Sequence, residues 1–360
     1  MKDMDNDCIG GVRNVPYEEL MELGIHALQG VGVPDEDART TVEILLWADL
    51  RGVSSHGIQR LLMYIPRIRK GLMNPRPRIE VQSPAAALRI VHGDDGLGPV
   101  VGARGMREAM DLARTLGTGF VGCNASNHFS AAAPYVLMAC RERLIGIAGT
   151  NAFPTMPPWG GMGNIVGNNP LAVGVPCEGE DPFVLDMAMS VSSRGRIRQM
   201  AEKKEKIPEG WALDGQGRPT TDPMEGLKGV VLPMGQHKGY GLAVALDILS
   251  GVLTGSGFAT EVKSLVQQWE EPQHVGHFFI VIDPVRFMPW EEFSERLKAL
   301  FSILRGARRI DPETAIIVPG EYEADLERKR RAQGIPLEAK TLEILHGLTC
   351  GRYDYDIPKV

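Results

Sequence analysis

Residues 51–60 (RGVSSHGIQR) contain a histidine and an arginine four residues apart, His56 and Arg60. That spacing puts both side chains on one face of a helix. A histidine exchanges protons near neutral pH, an arginine binds a carboxylate through paired hydrogen bonds, and Ser55 can hydrogen-bond the ring or a ligand. The segment therefore suits general acid–base chemistry on a small 2-oxo or 2-hydroxy acid. The alternative interpretation is a helix capped by Ser54 or Ser55, with a surface histidine beside it.

Two further segments carry polar side chains where a ligand could approach the backbone. Residues 124–133 (NASNHFSAAA) place His128 after a predicted buried strand and before small residues. Residues 235–241 (GQHKGYG) place His237 and Lys238 at the start of a predicted helix, where a lysine favours an anion such as a pyrophosphate. Each segment alone is a weak signal, because a loop histidine is often only locally hydrogen-bonded.

The elements that must position these residues alternate between helical and extended patterns. Apolar spacing and end signals predict helices over residues 16–30, 34–50, from about 55 onward, 101–116 and 290–304, and a buried helix over 242–253. Strands are predicted over residues 87–91, 119–122 and 278–282, and a charged tail is expected after residue 304. Residues 117–177 hold short apolar runs separated by Gly, Asn and Pro, which predict sheet and loops. The pattern indicates a mixed α/β fold.

Composition excludes several classes of protein. The 360 residues carry a formal charge of −6, so nucleic-acid binding, which needs clustered positive charge, is not expected. The acidic N-terminal stretch has no apolar core and does not predict a signal peptide, and the run over residues 242–253 is too short to span a membrane. The five cysteines, Cys8 among them, form no CxxC pair, which favours reduced thiols in a cytoplasmic protein and no metal site.

Two glycine-rich stretches imitate a dinucleotide-binding loop. Gly96, Gly98 and Gly102 follow a predicted strand and open a helix, but their spacing is GxGxxxG, and the next strand ends at residues 123–124 without the required carboxylate. The stretch over residues 161–167 has no strand before it, and neither stretch continues as a phosphate-binding P-loop. A Rossmann fold is therefore not favoured.

Eight segments, in order and at similar spacing over nearly the whole chain, resemble the non-Rossmann malate/L-lactate dehydrogenase family. They are ADLRGVSSHGIQRL, GDDGLGPVVGARGM, SNHFSAAAPY, PPWGGMGNIVGNNPLAVGVP, FVLDMAMSVSSRGRI, GWALDGQGRPTTDP, LPMGQHKGYGL and PGEYEADLERKRRAQGIPL. The resemblance implies a mixed-sheet NAD(P)-binding domain of non-Rossmann topology, expected over residues 119–284. It also implies a helical or mixed domain built from both chain ends, residues 1–118 with 285–360, and a homodimer with the active site between the two domains.

The resemblance also assigns roles to residues. His56 would be the proton donor and acceptor with Ser55 beside it, and Arg60 with Tyr64 would bind the substrate. The residues expected to line the cofactor are His128, Phe129, Ser130, Ala131, Ala132, Asp186, Met187, Ala188, His237, Lys238, Gly320 and Glu321. His128 competes with His56 for the proton-transfer role, because one branch of the family uses that position.

Departures from the family pattern refine the expected activity, a hydride transfer between a nicotinamide and C2 of a malate- or lactate-like acid. Ureidoglycolate dehydrogenase is an alternative, and so is an NADPH-dependent reductase of cyclic imino acids. The imino acid branch has His-Gly-Asp where this chain has Arg194-Gly195-Arg196, and an arginine cannot act as the relay anion. The acidic loop over residues 320–325 favours NAD, with NADP still possible, because a carboxylate repels a 2′-phosphate. Ser130 replaces a glycine that is usual in the family. A binding protein that keeps the fold without activity is the alternative outside enzymes.

Overall fold

The computed structural model describes residues 11–355, so Cys8 and most of the acidic N-terminal stretch lie outside the described residues. The helices are α1 (Tyr17–Gln29), α2 (Asp35–Leu50), α3 (Leu61–Arg69), α4 (Gly98–Leu116), α5 (Ala133–Arg141), α6 (Arg194–Glu202), α7 (Pro223–Lys228), α8 (His237–Asp247), α9 (Trp290–Arg305), α10 (Glu321–Gln333) and α11 (Ala339–Thr349). The strands are β1 (Val12–Val15), β2 (Glu80–Ala85), β3 (Leu88–His92), β4 (Thr118–Ser126), β5 (Ile145–Thr150), β6 (Pro154–Met156), β7 (Val166–Gly167), β8 (Leu171–Val175), β9 (Phe183–Met187), β10 (Ala212–Leu213), β11 (Pro219–Thr220), β12 (Val230–Val231), β13 (Val275–Ile282) and β14 (Ile335–Glu338). The mixed α/β class is confirmed.

The helices with clear apolar spacing and end signals form where they are predicted. In α1 the side chains of Leu20 and Leu28 are fully buried, and the helix ends at Gly30. Helix α2 follows Pro34 and carries three acidic residues in its first turn, where they stabilise the positive end of the helix dipole. The helix expected from about residue 55 is interrupted, because two short 3-10 turns precede α3. Gly57 separates these turns in an extended conformation.

A seven-stranded sheet forms the centre of the structure, in the order β2-β3-β4-β13-β5-β8-β9. Strands β3 and β4 are parallel, and every other neighbouring pair is antiparallel. A Rossmann fold has a mostly parallel sheet built from βαβ units. The non-Rossmann topology expected from the resemblance is therefore confirmed.

Helices cover both faces of this sheet. Helices α4 and α5 pack on one face, in an apolar cluster that contains Val121 and Phe279, and α8 packs on the other face beside Phe278. The glycine-rich stretch before α4 has a packing role. An added Cβ at Gly98 would lie 2.2 Å from the carbonyl oxygen of His128. The glycine therefore allows the start of α4 to lie against the loop that carries this histidine.

The two chain ends pack together. Strand β1 pairs with β14, and α1 packs against α11. The prediction of a charged tail after residue 304 is wrong, because this region folds into α10, β14 and α11. Their charged residues lie on the outer surface, whereas Ile335 and Leu345 are fully buried. Strands β2 and β3 belong to the central sheet, so this sheet takes strands from both sides of the domain boundary expected at residue 118. The two-domain division stays a prediction.

The helix expected over residues 242–253 consists of the end of α8 and a π-helical turn, Ile248–Val252. Its burial was predicted only partly correctly. Ala243 and Leu246 are buried against the sheet, whereas the side chains on the opposite face are 44–58% exposed: Leu242, Ile248, Val252 and Leu253. The apolar run predicts a helix but does not show how many of its faces the chain itself covers. Between residues 11 and 355, no helix is both long and apolar enough to cross a membrane.

Candidate active site

The two candidate catalytic histidines face each other. His56 ends the first 3-10 turn after α2, and His128 lies two residues beyond the end of β4. Their ring centroids are 5.4 Å apart, with 28° between the ring planes. Residues 72 positions apart in the sequence thus form one pair, because the segment after α2 and the loop after β4 meet at the same end of the sheet.

Hydrogen bonds fix both rings. The hydroxyl of Ser55 lies 3.0 Å from Nδ1 of His56. The hydroxyl of Tyr64 lies 2.8 Å from Nδ1 of His128 and 3.0 Å from its carbonyl oxygen. Ser130 donates its hydroxyl to the carbonyl oxygen of His56 at 2.8 Å, which ties the two histidine segments together. The structure therefore brings together five of the residues that the sequence singled out.

Arg60 lies buried beside this pair. Its Nε donates to the carbonyl oxygen of Ser55 at 2.6 Å, and the residue is 8% exposed. Among residues 11–355, no carboxylate lies within ion-pairing distance of its guanidinium. A buried cation without a protein anion favours an anionic ligand, because an uncompensated buried charge is costly. The guanidinium is thus suited to hold the carboxylate of a substrate.

Burial makes both histidines neutral at physiological pH, contrary to the near-neutral pKa that the sequence suggested. Desolvation, with a smaller contribution from the positive charge of Arg60, lowers the pKa of His56 to about 3. Desolvation and the same arginine lower the pKa of His128 well below its usual value. Burial raises the pKa of Tyr64 above its usual range, so the phenol stays protonated. The free site therefore offers neutral imidazoles that can accept a proton.

Gln273 and His277, which the sequence did not single out, pack against the loop that carries His128. Oε1 of buried Gln273 accepts the backbone N–H of His128 at 3.1 Å. The ring of fully buried His277 stacks on Phe129 with centroids 4.6 Å apart. His277 is held between the hydroxyls of Thr150 and Ser126, each 2.8 Å away. The sequence contains no motif that links either residue to His128, since both come from the region of β13, about 145 residues later.

The expected cofactor segments meet at β9. Oδ2 of Asp186 accepts the N–H of Ala133, at the start of α5, at 2.8 Å, and Ala131 and Ala132 are buried in the preceding loop. Asp186 keeps solvent-accessible surface, yet desolvation raises the pKa of its carboxyl group to about 6, opposed by hydrogen bonds from the backbone. The carboxyl group of Asp186 is therefore accessible to a ligand. Phe129, 1% exposed, is an internal packing residue.

The loop before α10 lies against β9. The carbonyl oxygen of Pro319 accepts the N–H of Val184 at 2.9 Å, and Arg51 donates to the carbonyl oxygen of Gly320 at 3.3 Å. The Glu321 carboxylate is already occupied, because it accepts the N–H of Val318 at 2.7 Å and pairs with Arg305.

The remaining predicted cofactor residues do not contact the histidine pair among the described residues. Met187 packs in the apolar cluster on the α8 face of the sheet, and its neighbour Ala188 is partly buried. His237 and Lys238 are exposed at the start of α8, where the ring of His237 lies 5.9 Å from that of Trp159. In the described part of the chain, no hydrogen bond or ring contact joins these two residues to the histidine pair.

One end of a mixed, non-Rossmann sheet thus carries two facing histidines and a buried arginine that, within residues 11–355, has no carboxylate partner, and comparison with known proteins shows that the chain is an oxidoreductase of hydroxy acids. The family model described as malate/L-lactate dehydrogenase matches residues 15–346, and the chain belongs to this family. It is 39% identical to the malate dehydrogenase of Pyrococcus horikoshii over 92% of this chain and 93% of that protein. It is 33% identical to ureidoglycolate dehydrogenase (NAD(+)) of Escherichia coli K12 over 90% of this chain and 92% of that protein.

Solved structures agree with this membership. Sulfolactate dehydrogenase from Methanocaldococcus jannaschii superimposes with a TM-score of 0.89 at 37% identity, covering 96% of this chain and 98% of that chain. Relatives whose names specify a cofactor include both NAD(+) and NADP(+) forms. Family membership implies a nicotinamide cofactor without deciding between the two.

Proposed function

We propose that this protein catalyses reversible hydride transfer between NAD and C2 of a small 2-hydroxy/2-oxo acid of the malate or lactate type. The observation that carries the proposal is the buried guanidinium of Arg60, without a carboxylate partner among the described residues, beside the His56–His128 pair. Arg60 binds the C1 carboxylate, and His56 exchanges the proton of the C2 oxygen. His128, held by Tyr64, is the competing candidate for that proton transfer.

The residues around β9 fit a nicotinamide cofactor by the chemistry of their polar groups. The accessible carboxylate of Asp186 in β9 can accept hydrogen bonds from an amide or a ribose, and the exposed Lys238 at the start of α8 can bind a diphosphate. Such a cofactor supplies the hydride acceptor or donor. The protein's own contribution is to hold the acid, exclude water and move one proton.

The neutral state of His56 suits the oxidative direction. With Nδ1 paired to Ser55, Nε2 remains to accept the proton of the substrate hydroxyl. The positive charge of Arg60 opposes protonation of the ring in the free site. A bound substrate carboxylate offsets that charge, so His56 can carry a proton and stabilise the developing alkoxide in the reductive direction.

The preference for NAD rests on Glu323. Glu321 is occupied and Asp325 pairs with Arg328, whereas no cation in the described chain lies within ion-pairing distance of Glu323. The negative charge of Glu323 raises the pKa of the Asp186 carboxyl group, which supports a position of Glu323 close to the proposed cofactor site. A 2′-phosphate is repelled by such a carboxylate.

We expect Glu323→Gln to raise the ratio of NADPH to NADH turnover. Glu313→Gln, at an exposed glutamate, is the control and should leave the ratio unchanged. An unchanged ratio in Glu323→Gln contradicts the assignment of Glu323 to NAD preference.

We also propose a homodimer. The exposed apolar face of α8 and the π-helical turn supports this assignment, because apolar patches on a single chain are typical of association surfaces. Light scattering should give twice the chain mass of 39.3 kDa. A monomer at micromolar concentration would contradict the proposal.

The test of function follows NADH and NADPH oxidation against a panel of oxaloacetate, pyruvate, sulfopyruvate, 2,3-diketogulonate and piperideine-2-carboxylate, with ureidoglycolate plus NAD run in reverse. Turnover of an open-chain oxo acid with NADH supports the proposal. Activity only on the cyclic imine with NADPH would overturn it. His56→Ala should lower kcat by ~10²-fold while NADH binding is retained. A normal rate in that variant would transfer the proton-transfer role to His128.

A further inference from the structure

A carboxylate behind the site, Asp49 in the last turn of α2, has no role in the assignments above. It is 1% exposed, and its Oδ2 accepts the backbone N–H of Ile58 at 2.6 Å. Arg330 contacts the backbone carbonyl oxygen of Asp49, and within residues 11–355 no cation forms an ion pair with the carboxylate itself. Burying a carboxylate without an ion pair is costly, so the contact with Ile58 needs a structural reason.

The contact caps the element that carries the substrate-binding residues. Ile58 begins the 3-10 turn that continues into α3, and this element holds Arg60 and Tyr64. The preceding residue, Gly57, has no side chain and cannot act as the cap. Asp49 supplies the missing acceptor from nine residues upstream.

Gly57 is required by this contact rather than by its backbone conformation. Its φ of −85° and ψ of −159° are extended values that any residue adopts. An added Cβ, however, would lie 1.9 Å from Oδ1 of Asp49. The glycine directly after His56 therefore exists to admit the carboxylate.

We propose that Asp49 is a positioning residue that, through Gly57 and Ile58, fixes the ring of His56 and the guanidinium of Arg60 relative to each other. The roles of His56 and Arg60 rest on the proposed function, whereas the cap does not. The charge is not needed for this task. Burial raises the pKa of Asp49 to about 7, opposed by the Ile58 hydrogen bond and by Arg330, and both protonation states keep an oxygen that accepts the N–H.

The test compares Asp49→Ala with Asp49→Asn in the full chain. Loss of the acceptor misplaces both reactive groups, and a shift of 1 Å can cost about 10²-fold in rate. We expect Asp49→Ala to lower kcat about 10- to 100-fold and to raise KM for the oxo acid, with NADH affinity retained. Asp49→Asn, whose amide oxygen can accept from Ile58, should restore most of the rate.

The matched control is Asp283→Ala. Asp283 is also buried and also caps a 3-10 turn, accepting the N–H of Val285 at 3.1 Å, but it lies at the opposite end of β13 from the histidine pair. The Asp283→Ala variant should lower stability without changing kcat or KM.

Gly57→Ala provides a second variant, in which the carboxylate of Asp49 is displaced while the aspartate itself remains. It should reproduce the kinetic loss of Asp49→Ala.

Hydrogen exchange measured by mass spectrometry separates this inference from the proposed function. Peptides covering residues 54–64 should exchange faster in Asp49→Ala and at the wild-type rate in Asp49→Asn. Wild-type exchange and kinetics in Asp49→Ala would overturn the inference, and so would wild-type kinetics in Gly57→Ala. If the wild type turns over no substrate of the panel, the proposed function fails, and the exchange result alone decides the role of the cap.

Discussion

Lowering the pH from 7 to 5 should destabilise the protein through a histidine buried in its neutral form. His277 is fully buried between two hydroxyl groups, and desolvation lowers its pKa from 6.5 to about 3. In the unfolded chain this histidine titrates near its ordinary pKa, so below that value the unfolded state binds a proton that the folded state excludes. The stabilisation is complete above about pH 6.5 and is lost as the pH falls toward the folded pKa.

The magnitude follows from proton linkage. With those two pKa values, the step from pH 7 to pH 5 costs about 2 kcal/mol for His277 alone. His277→Gln removes this titration, so its free energy of unfolding should change between the two pH values by about 2 kcal/mol less than that of the wild type. Urea unfolding followed by tryptophan fluorescence at both pH values measures the difference. Phe279→Leu, a buried change on the same strand, should lower stability equally at both. An identical pH dependence in His277→Gln and wild type would refute the reasoning.

Three further predictions concern the site. Ser130 has a positive φ of 74°, so Ser130→Gly relieves backbone strain but loses the hydrogen bond to His56, whereas Ser130→Ala only loses that hydrogen bond. In urea unfolding, Ser130→Ala should therefore be less stable than Ser130→Gly by about 1 kcal/mol. Equal stabilities would contradict the strain argument. Tyr64→Phe should lower kcat/KM by about 10-fold in steady-state assays, because Nδ1 of His128 loses its 2.8 Å contact with the phenol and keeps only the longer one, 3.4 Å, from the N–H of Ser130. An unchanged value would show that Tyr64 does not orient that ring. Arg60→Lys should raise KM for the oxo acid more than it lowers kcat, since lysine lacks the bidentate fork, and a selective loss of kcat would argue against carboxylate binding.

Much of the fold could be predicted from local patterns. Helices α1 and α2 follow from apolar spacing and from end signals such as Gly30 and Pro34, and β4 and β13 follow from short apolar runs. The spacing of Gly96, Gly98 and Gly102 correctly argues against a Rossmann loop, and the sheet topology confirms it. These features are local, because backbone propensity and periodicity act over a few neighbouring residues.

Residue types and their spacing were enough to identify the reactive groups and the family in which they occur. His56, Arg60 and His128 could be named from residue type and spacing. The packing of distant segments, in contrast, makes the two rings face each other, lowers the pKa of both through desolvation, and brings Asp49 to the N–H of Ile58, between His56 and α3. Contacts between distant segments and the desolvation they cause depend on how the layers pack, and no local pattern encodes that packing.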